Sequence, residues 1–110
     1  MRAAFTVEIT EAAESDLQEI VRDVWERTGA KTAERLLDDL LDCVSKLLSF
    51  PERGSFPSEL TQLGIKDFRQ LIFQGYRLIY RVIGKTVFVM VIADGRRDMQ
   101  RVLERRLLEH

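Results

Sequence analysis

The sequence predicts an α+β fold with the element order β-α-α-β-β-β-α. A mostly antiparallel sheet packs against an N-terminal helical hairpin, and a short C-terminal helix closes the chain. Two observations predict this. Apolar residues recur at helical spacing before Pro51, and three strand-like runs separated by glycine turns follow Ile65. Strands grouped after helices indicate layers of sheet and helix rather than alternating parallel units.

The elements follow in order. Phe5-Thr6-Val7-Glu8-Ile9 alternates apolar and polar residues, as a half-buried strand does. Thr10 is the expected N-cap of the first helix, with Glu11 in its first turn. Ala13, Leu17, Ile20, Val21, Val24 and Thr28 repeat at helical spacing, and Gly29 is a C-terminal stop. Ala33, Leu36, Leu37, Leu40, Leu41, Val44, Leu47 and Leu48 form the stripe of the second helix, which Pro51 ends. The short gap between the helices makes them an antiparallel hairpin. Residues 51–65 hold two prolines and two glycines and read as a loop. Strands follow at about 66–73, 75–83 and 86–93, with turns at Gln74-Gly75 and Gly84-Lys85. Thr86 to Ile92 is apolar on both faces, which places it centrally in the sheet with both sides covered. The route of the first strand is open. Met99, Val102, Leu103 and Leu107 define the last helix, whose other positions carry Arg101, Arg105 and Arg106.

Composition limits function. A chain of 110 residues with 45% hydrophobic content forms one domain with a real core, assigned to residues 1–107. No apolar run reaches the ~20 residues of a membrane span, and the N-terminus runs directly into a strand pattern, so neither membrane insertion nor a signal peptide is expected. A single cysteine, Cys43, fits a reducing cytoplasm. The one histidine is His110, and residues 108–110 (Leu-Glu-His) read as the first residues of a polyhistidine tag. The rest of the chain then has no histidine for general-base catalysis or zinc binding, and no metal or cofactor is expected.

The net charge of −1 conceals an asymmetry. Residues 1–60 carry seven Lys/Arg against thirteen Asp/Glu, and residues 61–110 carry ten against five. The basic half is the part suited to an anionic partner, unless the halves neutralise each other within the fold. On the strand at 75–83, Tyr76, Leu78, Tyr80 and Val82 face one way, and Arg77, Ile79, Arg81 and Ile83 the other. With Arg69 on a neighbouring strand and Arg96 and Arg97 at the sheet's end, five guanidinium groups are expected on one rim as a partner-binding set. Such a rim would orient a scissile phosphate or hold an acidic segment. Asp67, Asp94 and Asp98 lie close enough in sequence to neutralise some of these arginines. Trp25 is a possible interface anchor, Asp38, Asp39 and Asp42 read as a solvated helix face, and no phosphate-binding glycine loop occurs.

The run from Gly75 to Gly84 (Gly-Tyr-Arg-Leu-Ile-Tyr-Arg-Val-Ile-Gly), followed by Thr86–Ala93 and Gly95-Arg96-Arg97-Asp98, resembles the RelE/ParE superfamily of bacterial toxins from type II toxin–antitoxin pairs. The helical hairpin and Pro51-Glu52-Arg53-Gly54 fit the same resemblance. It implies a single toxin domain, a neutralising antitoxin and a mixed toxin–antitoxin oligomer in the cytoplasm. RelE-like members cleave mRNA on the ribosome, whereas ParE-like members poison DNA gyrase. Arg77 and Arg97 match two RelE-type arginines. The RelE-type lysines fall at Phe68 and Gln70, and the C-terminal tyrosine falls at Leu103. Losing general acid–base groups removes roughly 10²–10⁴-fold in rate. A pI near 5.9 also suits ribosomal RNA poorly. The resemblance therefore favours a non-enzymatic, ParE-like gyrase inhibitor. The alternatives are a ribosome-dependent endoribonuclease using Arg77 and Arg97, and a non-toxic protein of the same fold that only binds an antitoxin.

Overall fold

The computed structural model describes residues 5–108. Residues 109 and 110 of the expected tag remnant lie outside it, as do residues 1–4. Strand β1 (Thr6–Ile9) leads into α1 (Glu11–Thr28) and α2 (Ala30–Ser45). A short α3 (Ser58–Thr61) precedes β2 (Arg69–Phe73), β3 (Tyr76–Ile83) and β4 (Thr86–Asp94), and α4 (Met99–Leu103) continues into a wider π-helical turn, Glu104–Leu108. The sheet order is β1-β4-β3-β2. β1 runs parallel to β4, and the other pairs are antiparallel.

Local chemistry sets the boundaries. The Thr10 hydroxyl accepts from the Ala13 amide at 3.2 Å and donates to the Val89 carbonyl at 3.0 Å. One side chain therefore caps α1 and fastens it to β4. Gly29 adopts φ 101° between the helices, where its amide donates to the Trp25 carbonyl. At the β2–β3 turn Gln74 and Gly75 both have positive φ, which suits a tight two-residue hairpin.

Two apolar layers hold the sheet. The α1–α2 hairpin and the 3₁₀ turn after it cover one face, where Leu17, Leu36, Leu40 and Leu47 meet Leu78, Tyr80, Val87, Val89 and Ile92. On the other face α3 and α4 pack Leu60, Met99 and Leu103 against Phe68, Ile79, Val91 and Ala93. A β-bulge divides β4 between these layers. Tyr80 pairs with Val89 and Ile79 with Val91, which leaves Met90 unmatched. The extra residue inverts the alternation, so Val87 and Val89 face the hairpin while Val91 and Ala93 face α4.

Some sequence expectations change. The segment 51–65 is not purely loop, because it contains α3, a single turn too short to show periodicity. α2 ends at Ser45 and passes into a 3₁₀ turn, Lys46–Leu48, so Pro51 lies beyond the helix rather than ending it. Leu41 and Leu48 are exposed, which narrows the expected core stripe. Among the described residues, no helix is long and apolar enough to cross a membrane.

Candidate functional site

The five expected arginines do not converge on one rim. Cross-strand pairing puts Arg69 opposite Tyr80, on the hairpin face of the sheet, while Arg77 and Arg81 share the other face with Ile79. Arg69 holds the loop before α3. It donates to the carbonyls of Glu52 at 3.2 Å and Gly54 at 2.9 Å, and lies 4.4 Å over the Phe56 ring. Gly54 completes the anchor. Its amide donates to the Tyr80 hydroxyl at 3.0 Å, and a Cβ there would lie 2.5 Å from the Gln70 carbonyl oxygen. Burial pushes the Tyr80 phenol up, partly offset by its bond from Gly54, so it stays a neutral anchor.

Arg77 is enclosed by side chains of α3 and β2. It makes a two-pronged bond to Glu59 at 2.7 and 2.8 Å, and its Nε donates to Gln70 at 2.8 Å. Its side chain is only 13% exposed. The bonds from Arg77 hold the Glu59 carboxyl below the usual range, outweighing the opposite effect of burial. α3 therefore supplies the carboxylate that neutralises this guanidinium, which explains why a four-residue helix matters to the site. Sequence reasoning missed Glu59. Its position eighteen residues from Arg77 gives no local signal, since the pairing depends on α3 folding back over the sheet.

The other three are more open. Arg81 lies 3.6 Å from Asp67 and 5.5 Å over the Phe68 ring. Arg96 is 86% exposed and pairs with Asp94 at 2.8 Å, and these bonds lower the Asp94 carboxyl. Arg97 makes no side-chain ion pair among the described residues. Arg77 and Arg96 line one shallow depression beside Gly75 and Gly95, whereas Arg97 lines a different cleft against α1. The two RelE-matching arginines are thus not gathered in one pocket. The positions matched to RelE-type lysines and tyrosine hold Phe68 and Leu103, both buried in the α4 layer, and Gln70, bonded to Arg77.

A second surface lies on the hairpin. Leu17, Val21, Trp25 and Leu37 line an apolar groove bordered by Glu14, Gln18, Arg22 and Glu26. Trp25 is 60% exposed there. The Cys43 thiol on α2 is half-buried, and burial pushes it up.

Sheet order, hairpin and facing C-terminal helix match the fold that the RelE/ParE resemblance implies. A family model described as the ParE toxin of the type II toxin–antitoxin system parDE matches residues 7–99. Toxin ParE3 of Caulobacter vibrioides is 30% identical over 90 residues, covering 82% of this chain and 86% of that protein. A solved chain described as the chromosomal ParDE TA system from P. aeruginosa has the same fold, with a TM-score of 0.71 and 22% identity, over 84% of this chain and 97% of that one. The chain belongs to the ParE toxin family of type II toxin–antitoxin systems.

Proposed function

We propose that this toxin inhibits growth by protein–protein contact with DNA gyrase and that a cognate antitoxin neutralises it in the cytoplasm. The observation that carries this reading is the enclosure of Arg77 by Glu59 and Gln70. A guanidinium whose fork is already filled by a carboxylate has little left to offer a scissile phosphate. Apolar core residues at Phe68 and Leu103 support the same reading, since neither can move a proton.

The partner-binding assignment divides accordingly. Arg69 and Arg77 hold the fold, while Arg81, Arg96 and Arg97 remain able to meet a partner. A partly helical antitoxin segment orders on the toxin, setting its apolar face in the Trp25 groove and acidic residues on the accessible arginines. The sizeable exposed face of Trp25 supports this, because an aromatic ring gains most when a partner dehydrates it.

Inducible expression tests the target. Gyrase-linked DNA breaks with an SOS response, without ribosome-dependent mRNA cuts, are the expected outcome. Cuts within codons without DNA damage favour the endoribonuclease and overturn the proposal, and normal growth favours the non-toxic binder. Arg97→Ala sharpens the comparison, because a nuclease using that cation loses mRNA cleavage.

A further inference from the structure

The open part of the β4 edge carries a second, independent feature. β1 pairs with β4 only as far as Ile9 and Val89. Beyond that point the outer edge of β4 has no neighbouring strand. Two side chains occupy its hydrogen-bonding positions instead. The Ile92 amide donates to the Asp16 carboxylate at 3.0 Å, and the Met90 carbonyl accepts from Arg106 at 2.9 Å. Arg106 and Asp16 also bond to each other at 2.9 Å, closing a clasp between α1 and the C-terminal turn. Unpaired backbone at a strand edge is a template for another strand, and charged side chains are a common means of blunting it.

This edge lies in a cleft of about 610 Å³ whose two walls carry opposite charge. α1 supplies Asp16, Glu19 and Asp23 on the hairpin side, with Asp23 paired to Arg27 at 2.9 Å. Residues after β4 supply Arg97, Arg101 and Arg105 on the other side. These three arginines make no ion pair among the described residues. Asp94 and Asp98 also line the cleft, but Asp94 is engaged by Arg96 and Asp98 caps α4 through the Arg101 amide. With five carboxylates facing four guanidiniums, the cleft is a poor trough for a nucleic-acid backbone, which needs an excess of cations.

We infer that this cleft receives an extended segment of a partner protein as a strand beside β4, and that the segment alternates basic and acidic side chains. The alternation follows from sheet geometry. Successive side chains of an added strand point to opposite faces, so one set meets the acidic wall of α1 and the other the arginine wall beside α4. The Ile92 amide and Met90 carbonyl pass from Asp16 and Arg106 to the incoming backbone. The released side chains then pair with charges of the segment. This surface is separate from the Trp25 groove, and its use does not depend on gyrase being the target.

The test uses the full chain, isotopically labelled, with three synthetic peptides and a single-stranded oligonucleotide. One peptide alternates Lys and Glu. A second has the same composition in two blocks, and a third carries proline at the centre of the alternating sequence. The alternating peptide is expected to shift the amide resonances of Ile92 and Asp94. The block and proline peptides are expected to bind roughly tenfold more weakly, because they lose the alternating charge pairs with the two walls or the strand hydrogen bond. Exposed Arg101→Glu is expected to weaken the alternating peptide while leaving the thermal transition in place. Equal binding of alternating and block peptides, tighter binding of the oligonucleotide, or shifts confined to other amides would overturn the assignment.

Discussion

Arg77 and Arg96 look alike in the sequence and differ in what surrounds them. Arg96 projects into water with one carboxylate two residues away, so its pairing is screened and contributes little to stability. Arg77 is enclosed, with its fork filled by Glu59 and its Nε by Gln70. Arg77→Ala leaves a largely buried carboxylate without its partner, and is expected to lower unfolding stability by about 2 kcal/mol in urea titrations. Arg96→Ala should leave the melting temperature unchanged. The Glu59–Arg77 pair also sets a pH dependence. The folded-state pKa of Glu59 lies below its unfolded value. Its contribution is therefore full above the unfolded value of about 4.3, and is lost as pH falls through the lower folded value. The stability gap between wild type and Glu59→Gln, followed by urea titration, should shrink as the solution is acidified through that window. The strand faces of Arg77 and Arg81 were legible from alternation. Which carboxylate each would find was not, because Glu59 reaches Arg77 only through tertiary packing.

At the scale of elements, helical and strand periodicity located the hairpin, the three C-terminal strands and the last helix. Thr10 and Gly29 marked their boundaries through capping chemistry that is local by nature. The single turn of α3 and the bulge at Met90 were not legible. One turn is too short to display a period, and an apolar run such as Val87–Ile92 looks the same with or without an extra residue. The loop between α2 and α3 shows how a distant residue fixes a short segment. Tyr80 lies fully buried, and its hydroxyl receives the Gly54 amide. Tyr80→Phe keeps the ring and strands that amide, so a loss of about 1–2 kcal/mol is expected in thermal or urea unfolding. Gly54→Ala should be worse than a typical surface glycine change, since its new methyl group meets the Gln70 carbonyl and the Tyr80 hydroxyl. Hydrogen exchange at Ser55, whose amide donates to Gln70, should accelerate in both variants.

For the whole molecule, two ion pairs among the described residues bridge the charge split between the halves. Glu59 of the acidic half neutralises Arg77 of the basic half, and Asp16 does the same for Arg106. Three of the five expected partner contacts, Arg81, Arg96 and Arg97, remain accessible, and the exposed Arg101 and Arg105 lie in the same cleft as Arg97. On the proposed reading these arginines meet acidic protein surface rather than a phosphate backbone, since the carboxylates lining the cleft outnumber its guanidiniums. The family was legible because the third-strand signature and the element order occur together. The target was not, because it depends on which groups remain free after folding. Purified protein mixed with DNA gyrase, plasmid DNA and ATP measures this most directly. The account predicts gyrase-dependent accumulation of cleaved DNA that is suppressed by the cognate antitoxin. Intact DNA and unchanged gyrase activity, together with mRNA cut on purified ribosomes by the same preparation, would contradict it.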